Sequence, residues 1–171
     1  MWCSASPAGP TTSWQPYPGL RAAARAPARR LAHLTGATVG LNVLREGQTL
    51  VLDWTPGDSA GVLGRPLDAG IWPWSTAAGK ALVAGGRPRL PLGPLPGSWH
   101  RQAEAIRARG AAFDREEVTA GVCCVAVPVP GPNGAPLASL SVVTDPAHSL
   151  DRLVGVAQQT GRLIGAALRG R

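Results

Sequence analysis

The hydrophobic and polar positions along the chain are patterned most clearly in its second half, where two strand-like stretches flank a turn signal. Val122–Val129 is apolar and rich in β-branched residues, whereas Leu137–Val143 alternates apolar with small polar residues. Between them, Asn133 and Gly134 form a pair that tolerates the positive φ angle of a tight turn. The pattern therefore predicts a β-hairpin.

The two faces of this hairpin differ because side chains alternate across a strand. One face is mostly larger and apolar, formed by Cys123, Val125, Val127, Ala138, Leu140 and Val142. The other is mostly small and weakly polar, formed by Cys124, Ala126, Pro128, Ser139, Ser141 and Val143. Short side chains leave room above a sheet and hydroxyls orient a guest, so the second face is a candidate pocket floor. The alternative is that its serines simply face water.

A helical stripe precedes Gly36, a residue suited to ending a helix. The apolar members of this stripe repeat at helical spacing and are Leu20, Ala24, Leu31 and Leu34. Pro27 lies inside it, and proline breaks a helix interior. We therefore expect two pieces, a short helix ending near Ala26 and a second one spanning Pro27–Thr35.

Strand-like alternation then predicts a first hairpin, formed by Thr38–Leu44 and Gln48–Trp54. The inward residues of its first strand are Val39, Leu41 and Val43. Ser75–Ala84 has the composition of a helix, with Ser75 or Thr76 as its N-cap.

Four more elements complete the prediction. They are a short strand near Gly61–Gly64, a helix over Ser98–Arg109, a helical turn at Arg115–Thr119 and a helix over Leu150–Leu168 capped by Ser149. This order of elements is typical of an α+β fold, an antiparallel sheet with helices on its faces.

Length and composition narrow the class of protein. A chain of 171 residues is long enough for one domain with a real core. Its net charge is +7. Its arginines are scattered rather than clustered, which argues against a nucleic-acid surface. The three cysteines fit neither a disulfide framework nor a zinc site. Without a signal sequence or a membrane-spanning apolar run, we expect a cytoplasmic protein.

Candidate chemistry is sparse. Cys124 is a possible nucleophile with His33, His100 or His148 as base and Asp114 as orienter, although a strand cysteine is usually just a small hydrophobe. The acidic residues Asp114, Glu116 and Glu117 are expected on a solvated turn, and Lys80 is expected at the surface. The better candidate is the helix start at Ser75–Gly79, because its free N–H groups and positive dipole end suit a small carboxylate.

Four segments together resemble a known family. TGATVGLNVLREGQTLVLD, STAAGKALVA, IRARGAAFDREEVTAGVCCVAVPV and GAPLASLSVV are similar to the effector-binding domain of the isocitrate lyase regulator (IclR) family of bacterial transcription factors. The resemblance runs from Leu20 to the C-terminus. It implies a GAF-like fold, a curved antiparallel sheet with helices on both faces.

The resemblance also implies a ligand site above the sheet for small acids and aromatics. Carried over by motif, Ala77 and Ala78 would offer backbone N–H groups, and Asp114 would accept from a ligand hydroxyl or orient a loop. Cys124 and Ser141 would line the floor.

The resemblance also implies that Ile71 would supply an apolar wall of the ligand site. This sequence departs from the pattern at Val143, where some members have a second serine, so a less polar pocket is expected. The segment after Ala84 is Pro-rich and short, which puts the family's usual lid in doubt. Only thirty-odd residues precede the domain, so we expect no winged helix-turn-helix and no specific DNA binding by this chain.

The sequence thus predicts a small-molecule effector-sensing domain of an IclR-type regulator. The alternative is a small enzyme that uses the same pocket with Cys124. We expect a disordered lead-in at 1–19, a linker with the first helices at 20–34 and the effector-binding domain at 35–171. The expected partners are a small organic acid or aromatic effector and further copies in a dimer or tetramer, or full-length relatives. No cofactor, metal or membrane is expected.

Overall fold

The computed structural model describes residues 13–58, 72–85 and 95–170. Within these ranges the chain forms four helices and five strands. In chain order they are α1 (Leu20–Thr35), β1 (Thr38–Arg45), β2 (Gln48–Thr55), α2 (Ala77–Gly85), α3 (Trp99–Arg109), β3 (Ala112–Arg115), β4 (Cys123–Pro130), β5 (Pro136–Thr144) and α4 (Leu150–Arg169). The α+β class predicted from the sequence is confirmed. The predicted strand at Gly61–Gly64 lies outside the described residues.

The five strands form one sheet in the order β2-β1-β5-β4-β3, and all neighbouring strands are antiparallel. Both predicted hairpins are present, because β1 pairs with β2 and β4 pairs with β5. The two hairpins join through β1 and β5, where Leu41 lies opposite Leu140. Strand β5 therefore occupies the centre of the sheet.

The two faces of the sheet are covered by different helices. Helices α1 and α4 cover the larger apolar face, and α2 covers the face of small side chains with α3 packed beside it. The strand residues of the first core include Val39, Leu41, Val43, Val125, Val127, Leu140 and Val142. The second core contains Ala126 of β4 together with Ala77, Ala81 and Ile106 of the helices.

The turn between β4 and β5 confirms the special role of Gly134, whose φ angle is 80°. The Gly134 N–H donates to the Gly131 carbonyl oxygen at 3.0 Å, and the Gly131 N–H donates to the Ala135 carbonyl oxygen at 2.8 Å. The Asn133 side chain accepts from the Ala135 N–H at 3.1 Å. The turn therefore spans the whole segment between the strands and is stabilised by local hydrogen bonds.

Helix α1 corrects one prediction, because it runs unbroken through Pro27. Leu20 and Ala24 before the proline and Leu31 after it are buried in the same core, so packing on both sides holds the two turns in line. This tertiary contact offsets the hydrogen bond that proline removes. Leu34, predicted in the buried stripe, is instead 66% exposed.

The N-terminal helix is part of the packed body of the molecule. Trp14 and Tyr17, which precede it, pack against the same core, and the Arg45 guanidinium lies 4.6 Å from the centre of the Trp14 ring. The division of the chain at residues 19 and 34 stays a prediction.

Strand β3 corrects a second prediction. The sequence suggested a helical turn at Arg115–Thr119, but Ala112–Arg115 is a strand paired with β4, and residues 116–119 bend without forming a helical turn. A strand of four residues is too short to show a period, and it exists because β4 offers a free edge. This edge strand brings Asp114 opposite Cys124.

Candidate functional site

The floor of the site is a row of small side chains across the centre of the sheet. Gly40 of β1 lies opposite Ser141 of β5, which lies opposite Ala126 of β4. A Cβ atom at Gly40 would lie 2.6 Å from the Ser141 hydroxyl oxygen and 3.2 Å from the Trp54 ring. The missing side chain at Gly40 therefore lets the Ser141 hydroxyl and the Trp54 indole both approach the Gly40 backbone closely.

The serines of this floor do not face water, which removes the simpler of the two interpretations of the pattern. Ser141 is only 3% exposed. The Asn42 side-chain amide donates to its hydroxyl oxygen at 2.9 Å, and the Ser141 hydroxyl donates to the Gly40 carbonyl oxygen at 3.3 Å. This network fixes the direction in which the Ser141 oxygen points.

Helix α2 begins directly above the floor. The Thr76 hydroxyl accepts a hydrogen bond from the Gly79 N–H at 3.0 Å, which makes Thr76 the N-cap, one of the two residues predicted for that role. Ala77 and Ala78 follow in the first turn and are both buried. Their N–H groups have no carbonyl partner inside the helix, so the positive end of α2 lies beside the site.

Asp114 stands at the edge of the site, opposite Cys124 in the pairing of β3 with β4. Its carboxylate accepts a hydrogen bond from the Glu117 N–H at 2.8 Å. Burial raises the pKa of Asp114 above its ordinary value, although the hydrogen bond from Glu117 acts in the opposite direction. This hydrogen bond links Asp114 to the connection between β3 and β4, and the two roles that the family resemblance implies for Asp114 stay predictions.

Lys80 corrects a third prediction, because it is not a surface lysine. It is 5% exposed, and its ammonium group forms an ion pair with the Glu117 carboxylate. The charge of Lys80 also lies close enough to Asp114 to favour its ionised form. The site thus contains a buried cation that sequence reasoning missed.

Cys124 is held as a neutral thiol. Burial, and next the negative charge of Asp114, raise its pKa far above the usual range. Its sulfur atom contacts the Val125 carbonyl oxygen at 3.7 Å, and no histidine side chain among the described residues is hydrogen-bonded to it. His148 instead contacts Asp145 at the surface, with 2.8 Å between ring nitrogen and carboxylate. A nucleophilic pair at Cys124 is not formed.

Two buried polar atoms near α2 lack a hydrogen-bond partner within the described ranges, the Thr49 hydroxyl and the Trp74 indole N–H. A Cβ at Gly79 would lie 2.6 Å from the Thr49 oxygen. The Trp74 ring packs against Trp99 with ring centres 4.7 Å apart. Sequence reasoning missed both residues, and the only available signal was an aromatic residue just before a helix start.

The structure brings together five of the six predicted site residues around the floor, the start of α2 and the edge strand: Ala77, Ala78, Asp114, Cys124 and Ser141. The sixth, Ile71, lies outside the described residues. A cavity of about 380 Å³ lies elsewhere, between α2, α3, β4 and α4, and it is lined by Arg107, Gln158 and Arg162 among others. It includes none of those five residues.

The described residues show neither a metal-binding group nor a membrane-spanning helix. In ranges 13–58, 72–85 and 95–170, no group of three or more His, Cys, Asp or Glu side chains could hold a metal ion. No helix that the structure describes has the length and apolar character needed to cross a membrane.

Comparison with known proteins gives the family context. Residues 96–167 match the family described as bacterial transcriptional regulator IclR C-terminal. Among curated proteins, none matches this chain in sequence.

The fold is also found in solved structures. The transcriptional regulator YaiJ superposes with a TM-score of 0.78 at 21% identity, covering 89% of this chain and 96% of that chain. The IclR protein of Thermotoga maritima gives 0.74 at 24% identity, covering 88% of this chain and 68% of that chain. An IclR homolog from Microbacterium hydrocarbonoxydans complexed with 4-hydroxybenzoate gives 0.78 at 20% identity, covering 89% and 69%. The resemblance inferred from the sequence is confirmed.

Proposed function

We propose, from the match of residues 96–167 to the IclR C-terminal family, that this chain is the small-molecule effector-sensing domain of an IclR-type transcriptional regulator. The single observation that carries the proposal is the buried, hydrogen-bonded Ser141 floor beneath the first turn of α2. Such a combination of a small-residue floor and a positive helix end suits a small acid.

The proposed ligand site uses the residues that the sequence singled out. Free N–H groups of Ala77 and Ala78 would bind a carboxylate, and the Ser141 hydroxyl and Cys124 would contact the body of the ligand. Asp114 would accept from a ligand hydroxyl.

The class of effector is a small organic acid, aromatic or aliphatic. A structural neighbour from Microbacterium hydrocarbonoxydans is complexed with 4-hydroxybenzoate, which makes that compound a reasonable first probe for this chain. Ile71 remains the proposed apolar wall, and Val143 in the floor favours an apolar ligand body.

The proposal extends to the assembly and place of action. We infer a GAF-like architecture and association through this domain, as a dimer or tetramer or with full-length relatives. A transcriptional regulator acts where the DNA is, so we place it in the cytoplasm.

An enzymatic role through Cys124 has no support in the geometry. The nucleophile would have to be a thiolate, whereas burial raises the pKa of this thiol and no base contacts it within the described residues. We therefore expect ligand binding without turnover.

Calorimetry tests the sensing function. The chain is titrated with 4-hydroxybenzoate and a panel of small aliphatic carboxylates, and the ligand is analysed afterwards for chemical change. Saturable binding of an acid that is recovered unchanged supports the proposal.

A pair of variants locates the site. Ser141→Leu places a large side chain on the floor and should abolish binding. Ser149→Leu makes the same chemical change at an exposed serine before α4 and should leave binding intact. Equal loss in both variants, or none in either, would place the ligand elsewhere.

A further inference from the structure

Lys80 is the only charged residue in α2, and the structure buries it. Taking an ammonium group out of water is strongly unfavourable unless a counter-charge accompanies it. A buried lysine is therefore expected to have an anion beside its ammonium group.

The observed counter-charge is the Glu117 carboxylate, and the ion pair is strongly asymmetric. The Lys80 side chain is 6% exposed, whereas the Glu117 side chain is 50% exposed. Lys80 belongs to a helix packed on the sheet, and Glu117 belongs to the irregular connection between β3 and β4. The anion can thus leave for water without disturbing the core, but the cation cannot.

The backbone of this connection is held independently of the ion pair. The Asp114 carboxylate accepts from the Glu117 N–H at 2.8 Å, and the Glu116 carboxylate accepts from the Gly121 N–H at 2.7 Å. The Glu116 N–H also donates to the Val122 carbonyl oxygen at 3.0 Å. Rotation of the Glu117 side chain therefore breaks no backbone hydrogen bond.

The position of the pair relates it to the sensing site. Lys80 lies one turn beyond Ala77 on α2, and Glu117 is hydrogen-bonded through its N–H to Asp114, which faces Cys124 across the strand pair. A carboxylate from Glu117 therefore lies where the proposed ligand site meets the surface.

We propose that Glu117 is an internal substitute for the effector. Because helix side chains lean toward the N-terminus, the Lys80 ammonium and the N–H groups of Ala77 and Ala78 belong to the same positive end of α2. An acidic ligand, with its carboxylate at these N–H groups, displaces the Glu117 carboxylate and becomes the counter-charge of Lys80. This inference rests on the proposed sensing function. The exchange replaces one carboxylate by another, so Lys80 remains paired throughout and the desolvation cost is not incurred again. The released Glu117 side chain moves into water.

Two consequences follow from the exchange. The site selects anionic ligands over neutral ones of the same shape, because a neutral ligand cannot replace the charge of Glu117. Binding also changes the outer surface of the β3–β4 connection, because Glu117 is freed there. Lys80 is thus a specificity-determining residue and Glu117 a competing internal ligand.

The test compares an acid with its neutral amide. Binding of 4-hydroxybenzoate and of 4-hydroxybenzamide is measured by calorimetry for the wild-type chain, Glu117→Gln, Lys80→Met and Glu116→Gln. Glu117→Gln removes the competitor and should tighten acid binding about tenfold if the pair is closed nine-tenths of the time, with no tightening for the amide. Lys80→Met should lower the acid-to-amide affinity ratio by about tenfold or more.

Glu116→Gln is the matched control, because it neutralises the neighbouring carboxylate, which does not contact Lys80 in the described structure, and keeps an oxygen that can accept from Gly121. It should bind both probes as the wild type does. Circular dichroism establishes that each variant is folded, and if Lys80→Met does not fold, the Glu117→Gln result decides alone.

The outcomes separate the two proposals. Acid binding by the wild type that Glu117→Gln does not tighten overturns this inference and leaves the sensing function standing. Acid binding by Glu117→Gln alone supports the inference, with the competitor closing the wild-type site. No binding of either probe by any variant, across the carboxylate panel as well, removes the sensing function and this inference with it.

Discussion

The Ser139 hydroxyl donates a hydrogen bond to the Ala78 carbonyl oxygen at 3.0 Å, joining the central strand of the sheet to the first turn of α2. Both residues are buried, and they are 61 positions apart in the sequence. This contact sets the position of the helix start above the floor. The orientation of the Ala77 and Ala78 N–H groups depends on it.

Ser139→Ala should therefore lower the free energy of unfolding by about 1 kcal/mol, the usual net value of one buried hydrogen bond. The loss is modest because a carbonyl in the first turn of a helix also accepts from the helix itself. Urea denaturation followed by circular dichroism measures it. Ser149→Ala is the control, since Ser149 is exposed and makes no capping hydrogen bond, and it should be neutral. Equal stability of the two variants would show that the Ser139 contact does not anchor α2.

Short-range pattern was sufficient for the four strands of the two hairpins and for their faces. The alternation in Leu137–Val143 put Leu140 and Ser139 on opposite faces, and in the structure Leu140 lies in the large core while Ser139 contacts α2. The Gly134 turn was equally visible, because one residue type at one position decides it. Features of this kind depend only on neighbours in sequence.

The failures share a physical cause, since each depends on contacts between distant segments. Pro27 breaks a helix in isolation, but the core contacts of α1 hold it straight. Lys80 is typical of a surface position until a carboxylate 37 residues away neutralises it. Strand β3 exists only because β4 offers it an edge. The family resemblance predicted the backbone N–H groups and the floor residues of the candidate site. It did not predict the buried charge of Lys80.

A second prediction concerns the contact of α4 with the sheet. A Cβ atom at Gly165 would lie 2.6 Å from the Pro130 carbonyl oxygen, whereas one at Gly155 in the same helix would meet nothing within 4 Å. Gly165→Ala should destabilise the chain by roughly 1–3 kcal/mol, because the helix must move away from β4.

Gly155→Ala provides the matched control with the opposite sign. It should stabilise the chain by roughly 0.5–1 kcal/mol, since alanine favours the helix and the position is open. Thermal denaturation of the two variants compares them directly. The close approach of α4 to β4 would be contradicted if both substitutions stabilised the protein.

A third prediction concerns the turn between β4 and β5. Gly134 has a φ angle of 80° with open space around it, so its constraint is backbone strain and not a clash. Gly134→Val should lower the free energy of unfolding by roughly 1–2 kcal/mol. Gly97 also has open space but no left-handed φ, and Gly97→Val should change stability little. An unchanged melting temperature for Gly134→Val would mean that valine adopts this turn without strain.

The last prediction uses the titration of Asp114. Burial raises the pKa of its carboxyl above the value in the unfolded chain. At a pH between the two pKa values, the Asp114 carboxyl is protonated in the folded chain and ionised in the unfolded chain. The stability that this protonation provides is complete below the unfolded pKa. It is lost as the pH rises through the folded pKa. At neutral pH the buried Asp114 carboxylate therefore lowers the stability of the folded chain. Its position is explained by the hydrogen bond that it accepts from the N–H of Glu117, the residue paired with Lys80.

Asp114→Asn keeps an oxygen that can accept from Glu117 but has no charge to bury. Its free energy of unfolding relative to the wild type should therefore increase as the pH rises from about 4 to about 7. Asp145→Asn is the control of opposite sign, because hydrogen bonds from His148 and then Ala147 lower the pKa of Asp145. The free energy of unfolding of Asp145→Asn relative to the wild type should therefore decrease as the pH rises from well below the ordinary Asp pKa to above it. In this range the wild-type carboxylate becomes ionised and gains its hydrogen-bond partners. Urea titrations at a series of pH values give both differences. A constant or falling difference for Asp114→Asn would show that the Asp114 carboxylate is well solvated, and its assignment as a buried orienting residue would be wrong.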